Sequence, residues 1–188
     1  MLRHALGTRP HIGVLSRGSL LVVLFVVGLF IGSWQLAAAA DYYRYNGGTG
    51  WWQNSGVVIT ASANCGYNGS SVYGPNSDPN LGTANRWAGW DSSLPSAASV
   101  KVWWFIPSCI GNATNANYRI VYNGGGSTSD YFANQNNYSD VWITYQSSFS
   151  IPMNANSTSD YSALNSREPG VAANTHQIVW DDTDYETP

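Results

Sequence analysis

Charged side chains are scarce in this sequence. Lys and Arg number 8 and Asp and Glu 11, together 10% of 188 residues, against roughly 25% in an average soluble domain. With a formal net charge of −3 and no basic run, the chain lacks the clustered cations that neutralise phosphates, which excludes a nucleic-acid binder. Hydrophobic residues make up 44%, so the high charge and low hydrophobicity of a disordered chain are also missing. Histidine is limited to 3 residues and cysteine to 2. No window offers a capped amphipathic helix of useful length. What the chain has in excess is aromatic: Trp 9, Tyr 12 and Phe 5.

Arg3, Arg9 and Arg17 precede an apolar run over 20–31, and Ala37 to Ala40 supply small side chains before Asp41. This tripartite pattern is that of a secretory signal peptide, with Ala38 and Ala40 at the −3 and −1 positions of an A-x-A site. A retained membrane anchor needs about 20 apolar residues, whereas this run has 12 before Gly32, Ser33 and Gln35 interrupt it. The expectation is cleavage after Ala40, a secreted protein and no membrane association afterwards. Residues 41–188 would then form a 148-residue chain whose cations are Arg44, Arg86, Lys101, Arg119 and Arg167, against 11 acids. Such a length supports one core. Within it, 41–50 reads as a short linker or edge segment, 51–182 as one domain, and 183–188 as an acidic tail. Cys65 and Cys109 are most simply one disulfide in an oxidising compartment. It would close a 44-residue loop, worth up to about 4 kcal/mol in the chain-entropy model.

Apolar periodicity is two rather than 3.6. Val100, Val102, Trp104 and Ile106 fall on one face, with Lys101, Trp103 and Phe105 on the other, the alternation of a strand. Tyr118, Ile120 and Tyr122 alternate with Arg119 and Val121, and Val141, Ile143 and Tyr145 with Trp142, Thr144 and Gln146. Shorter strand candidates are 56–62, 85–90, 129–133, 147–153 and 175–181. Between them lie turn-rich stretches: Asn68-Gly69-Ser70, Gly74-Pro75-Asn76, Asn123 to Gly126 and Asn154 to Asp160. Many short strands joined by such turns predict an all-β sandwich or jelly roll.

Catalytic constellations are sparse. After the leader only His176 remains, too few for a two-histidine metal site, and a satisfied structural imidazole is the expectation there. No Gly-x-Ser-x-Gly elbow marks a nucleophile. Paired carboxylates would have to come from Asp91, Asp130, Asp140, Asp160, Glu168 or the tail. The tail acids Asp181, Asp182, Asp184 and Glu186 lack the glycine and terminal glutamate of an EF-hand loop and read as a frayed, solvated terminus.

Tryptophan and tyrosine present flat faces to the C–H face of a sugar ring, and Asn, Gln, Asp and Arg reach its hydroxyls. Trp104 belongs inside by parity and Trp103 outside, while Trp51, Trp52, Trp87, Trp90 and Trp142 lie near strand or loop edges. Together with the scarcity of charge, these aromatics favour a neutral polymer as ligand.

The segment Ala113-Thr114-Asn115-Ala116-Asn117-Tyr118-Arg119-Ile120-Val121-Tyr122-Asn123-Gly124-Gly125 resembles the A-T-N-A-x-Y-x-V-x-x-x-G-G signature of the golvesin C-terminal-like domain, also found attached to xanthan lyases. Asn134-Gln135 with Trp142 downstream resembles that family's N-Q and W. Cys65-Gly66-Tyr67-Asn68-Gly69, Arg86-Trp87, Leu94-Pro95 and the strand over 100–107 follow its order, and Ile178-Val179-Trp180-Asp181 is similar to its closing strand. The resemblance spans about 51–182. It implies a galactose-binding-like jelly roll, a non-catalytic accessory module with no cofactor or metal, and a polysaccharide or cell-surface glycan as partner. Thr114 to Asn117 are expected to cap backbone groups ahead of a strand. Trp87, Trp90, Trp103, Gln135 and Trp142 are the ligand-binding candidates. The alternatives are a structural or adhesive extracellular protein and a small polysaccharide hydrolase or lyase. Oligomeric state stays open.

Overall fold

Alternation of side chains about an extended backbone governs the described residues. The structure, a computed structural model, describes residues 39–54, 60–77, 86–109 and 111–188. The expected leader through position 38, most of the 56–62 strand candidate and Asn85 lie outside them. Among the described residues the strands are β1 (Tyr43–Arg44), β2 (Trp51–Gln53), β3 (Thr60–Ala63), β4 (Ser70–Pro75), β5 (Trp87–Asp91), β6 (Ala98–Ile106) and β7 (Ala116–Tyr122). They continue with β8 (Ser127–Ala133), β9 (Val141–Ile143), β10 (Ile151–Met153), β11 (Tyr161–Asn165), β12 (Gln177–Trp180) and β13 (Thr183–Glu186), and a 3₁₀ turn occupies Gln135–Asn137.

The nine-residue β6 organises the first sheet. β13 pairs along one edge of it, and β10 and β9 pair with its two halves along the other, giving the order β1-β13-β6-β10 with β9 beside β6. The second sheet runs β2-β5-β11-β7-β8, and a third, smaller one runs β12-β4-β3. Val100, Val102, Trp104 and Ile106 project inward, each at most 1% exposed. They meet Trp90, Tyr118, Ile120 and Leu164 of the second sheet, with Ile178 and Trp180 from β12 in the same core. The Trp104 and Tyr118 rings pack across it at 5.0 Å between centroids. The fold is thus the all-β sandwich that the alternation predicts. Cys65 and Cys109 form a disulfide, Cα atoms 5.9 Å apart, which ties the β3–β4 loop to the loop after β6.

Two expectations need correction. The stretch read as turns around Asn68 and Gly74 holds β4, a strand flanked by β3 and β12. Its proline stands last in the strand, where a missing N–H interrupts little of the ladder. The supposed frayed tail is β13, inserted between β1 and β6. Tyr185 is fully buried, its hydroxyl donating to the Trp90 carbonyl and accepting from the Ser162 N–H at 2.8 Å. This anchor draws Asp181, Asp182 and Asp184 in with it, all at most 6% exposed. Burial pushes their carboxyls up, Asp181 to about 8, Asp184 to about 7 and Asp182 to about 6. Among the described residues no three His, Cys, Asp or Glu side chains are grouped to hold a metal ion.

Candidate functional site

The outer face of the second sheet gathers the polar and aromatic side chains that β2, β5, β11, β7 and β8 turn away from the core. Register places Trp52, Gly89, Ala163, Arg119 and Asp130 side by side in one row across the five strands. The row below it runs Trp87, Asn165, Asn117 and Phe132, and the row above includes Asp91, Tyr161 and Val121.

Gly89 and Ala163 form a low floor in the middle row, and Trp52 lies over it. A Cβ on Gly89 would stand 2.8 Å from the Trp52 ring, 2.9 Å from the Ala163 methyl and 2.5 Å from the Ser162 carbonyl oxygen. Only glycine therefore lets the indole settle on the sheet. Tyr161 meets Trp52 edge-on, 5.2 Å between centroids and 88° between planes. Burial raises the Asp91 carboxyl above its ordinary value, against a hydrogen bond from Trp52 and the charge of Arg44. Trp52, Trp87 and Tyr161, with Asn54 and Arg119, enclose an open cavity of about 260 Å³.

Arg119 divides the face. Its guanidinium stacks over Trp87, 4.8 Å from the ring centroid, and clamps Asp130 through Nε at 2.6 Å and Nη2 at 2.7 Å. The Asp130 carboxylate raises the Arg119 pKa further, so that side chain carries its charge throughout. Beyond this partition lies a second cavity of about 410 Å³, which shares Trp87 and Arg119 with the first and adds Asn117, Asp130, Phe132, Asn165 and Arg167. The floor is polar: Asn117 is 8% exposed, and its Oδ1 receives no hydrogen bond.

Of the ligand-binding candidates, Trp87 alone lines these cavities. Trp90 is 1% exposed and packs against Trp51 inside, because it has the opposite parity to Trp87 on β5. Gln135 is 2% exposed, and its amide completes the edge of β12: Oε1 accepts from the Val179 N–H at 3.1 Å and Nε2 donates to the Val179 carbonyl at 3.0 Å. Burial thus removes Trp90 and Gln135 from any ligand surface. Trp103 faces outward on the first sheet, its indole N–H on Glu186 at 2.9 Å. Trp142 joins a separate aromatic patch with Tyr43, Tyr67 and Phe105, ring centroids 4.9–5.7 Å from its own. Trp52, placed among the edge aromatics but not among the ligand-binding candidates, and Tyr161, not considered, also line the first cavity. For Trp52 the signal was present, since two consecutive tryptophans in a strand must face opposite ways.

Three of the acids considered for catalysis, Asp140, Asp160 and Glu168, are hydrogen-bonded within the fold. Asp160, fully buried, accepts from the N–H groups of Gly124 at 2.7 Å, Gly125 at 3.2 Å and Asn154 at 2.6 Å. Both glycines hold φ above +60°, which aims their amides at it. Asp140 binds Ser108. Glu168, also fully buried, accepts from Thr114 Oγ1 at 2.8 Å, the Thr114 and Asn115 N–H groups, and Asn76 Nδ2 at 3.1 Å. His176 Nδ1 lies 2.9 Å from both Glu168 oxygens. The motif ahead of β7 thus offers its backbone donors to a carboxylate, and His176 is the satisfied structural imidazole that was expected.

The sequence matches no protein-family model and no curated protein. Among solved structures, the chain is similar to part of a Paenibacillus xanthan lyase determined to 2.6 Å, with a TM-score of 0.60 and 16% sequence identity. The match covers 79% of this chain and 13% of the lyase chain. The shared property is the fold, a β-sandwich that also occurs within a carbohydrate-active enzyme.

Proposed function

We propose that this chain is an exported, non-catalytic module that binds polysaccharide by laying sugar rings against Trp52, Trp87 and Tyr161. The observation that carries the reading is the cavity these three rings line with Asn54 and Arg119 on the outer face of the second sheet. Aromatic rings with polar neighbours suit a ligand that is apolar on its ring faces and polar at its edges. The one carboxylate lining the two cavities, Asp130, is tied to Arg119, which supports binding over hydrolysis or elimination. The disulfide fits an oxidising compartment. The golvesin-like motif and the fold shared with a segment of a polysaccharide-degrading enzyme lend further support.

Covering ~100 Å² of apolar ring surface contributes about 2.5 kcal/mol at ~25 cal/mol/Å². Retention of the protein in affinity gels cast with a panel of polysaccharides tests the reading. Trp52→Ala and Trp87→Ala should each weaken retention by roughly tens of fold, and Trp103→Ala, on the other sheet, should not. Absence of retention on every polymer, or retention indifferent to Trp52 and Trp87, overturns it.

The patch of Tyr43, Tyr67, Phe105 and Trp142 favours a second reading, an adhesive surface that joins copies of this chain. Tyr67 is 47% exposed. Strictly monomeric sedimentation at high concentration would count against it.

A further inference from the structure

The five cations of residues 41–188 are unequally engaged. Arg44 donates to the carbonyls of Tyr43, Asp91, Ser92 and Ser93, and Arg86 to that of Pro75. Lys101 lies over the Phe149 ring, and Arg119 is committed to Asp130. Arg167 is exposed, and its guanidinium has no hydrogen-bond or ion-pair partner among the described residues. It lines the second cavity, on the far side of Arg119 from the Trp52–Tyr161 platform. Asp130 is neutralised within the same cavity, so the charge left over there is the positive one of Arg167. Of the cations lining these two cavities, Arg167 is thus the one without a partner among the described residues, in an otherwise acidic domain.

The buried floor completes the description. The Asn117 amide, with an unsatisfied Oδ1, reaches the same space as Arg167. A hydroxyl both donates and accepts, so it matches this amide in either orientation. A guanidinium fork matches a carboxylate in two parallel hydrogen bonds. We propose that the second cavity is a subsite for an acidic sugar unit, a uronate whose carboxylate pairs with Arg167 and whose ring hydroxyl meets Asn117. The platform on the other side of Arg119 then receives the adjoining unit. This names the ligand class of the proposed polysaccharide site and rests on that reading; it replaces the neutral polymer expected from the scarcity of charge.

Polygalacturonate and its methyl ester share a backbone and differ in charge, which makes them matched probes. At ~0.15 M salt the Debye length is about 8 Å, so the acids elsewhere on the domain are screened while a contact inside the cavity is not. The free acid should bind about tenfold more tightly than the ester, the scale of one charge-assisted pair. Arg167→Gln should erase that preference while leaving the melting temperature unchanged, since among the described residues the guanidinium has no hydrogen-bond or ion-pair partner to lose. Trp87→Ala should weaken acid and ester alike. Equal binding of the two by the unaltered protein, or a preference that survives Arg167→Gln, overturns the uronate subsite and leaves the platform standing. Binding of neither, together with no retention on the wider panel, removes both.

Discussion

Replacement of Glu168 by Gln tests whether the turn ahead of β7 is held by a buried charge. The carboxylate is fully buried and accepts from Thr114, Asn115, Asn76 and His176. Burial alone would raise its pKa, but the hydrogen bonds from His176 and Thr114 outweigh this and hold it below the ordinary value. Glutamine keeps the shape but exchanges one acceptor oxygen for an NH₂ that must face other donors. The loss of charge-assisted bonds and the stranded donors together cost about 3–5 kcal/mol. At about 2–4 °C per kcal/mol for a domain of this size, the melting temperature should fall by roughly 10 °C. Thermal unfolding followed by circular dichroism reads it. Thr114→Val, which removes one donor and leaves the charge, should cost clearly less. Because the folded carboxyl has a depressed pKa, its contribution is present above the unfolded value and lost as pH falls through the folded one. The gap between wild type and Glu168→Gln should therefore narrow in strong acid. A melting temperature within about 2 °C of wild type near neutral pH, below one kcal/mol on that scale, would refute the reasoning.

Two further outcomes follow from the packing. Asp181, Asp182 and Asp184 have pKa values raised to about 8, 6 and 7, above the roughly 3.9 of an unfolded chain. The folded state therefore holds more protons than the unfolded one between these values, and stability declines as pH rises through them. The protein should melt several degrees higher at pH 5.5 than at pH 8.5, Asp181→Asn should flatten the slope, and a melting temperature that rises over this range would contradict the burial of β13. Gly89→Ala places a methyl against the Ser162 carbonyl and the Trp52 ring. It should cost about 1–3 kcal/mol and weaken polysaccharide retention together, and unchanged retention would mean that the indole does not lie on this floor.

The sandwich was readable wherever local alternation decided the structure. β6 shows it best, its inward set of Val100, Val102, Trp104 and Ile106 following directly from parity. Parity also held information that residue-type reasoning overlooked: Trp87 and Trp90 are three apart in one strand and must face opposite ways. The tail was misread because its acids suggested solvent, whereas Tyr185 and the pairing with β6 decide its burial. Gln135 became a ligand-binding candidate through the Asn134-Gln135 motif, but its amide completes the edge of β12. The Arg119–Asp130 clamp follows from the hairpin closed at Asn123 to Gly126, which pairs Tyr122 with Ser127 and steps back to 119 and 130. The row Trp52, Gly89, Ala163 joins strands from distant parts of the chain, and no local pattern announces such contacts.

The antiparallel pairing of β1 with β13 has a mechanical consequence. Ala40 bridges Thr187, Tyr43 faces Asp184, and Arg44 faces Thr183, so Ala40 and Thr187 lie side by side at one extremity of the ribbon. Tension applied at these two points loads the bonds between the strands one after another, as in a zipper, rather than shearing them together. The opening front then reaches Arg44, whose guanidinium grips the carbonyls of Asp91, Ser92 and Ser93 on the facing sheet. That side chain acts as a rivet there, and Arg44→Ala should let the domain open at a lower force when it is pulled from this end.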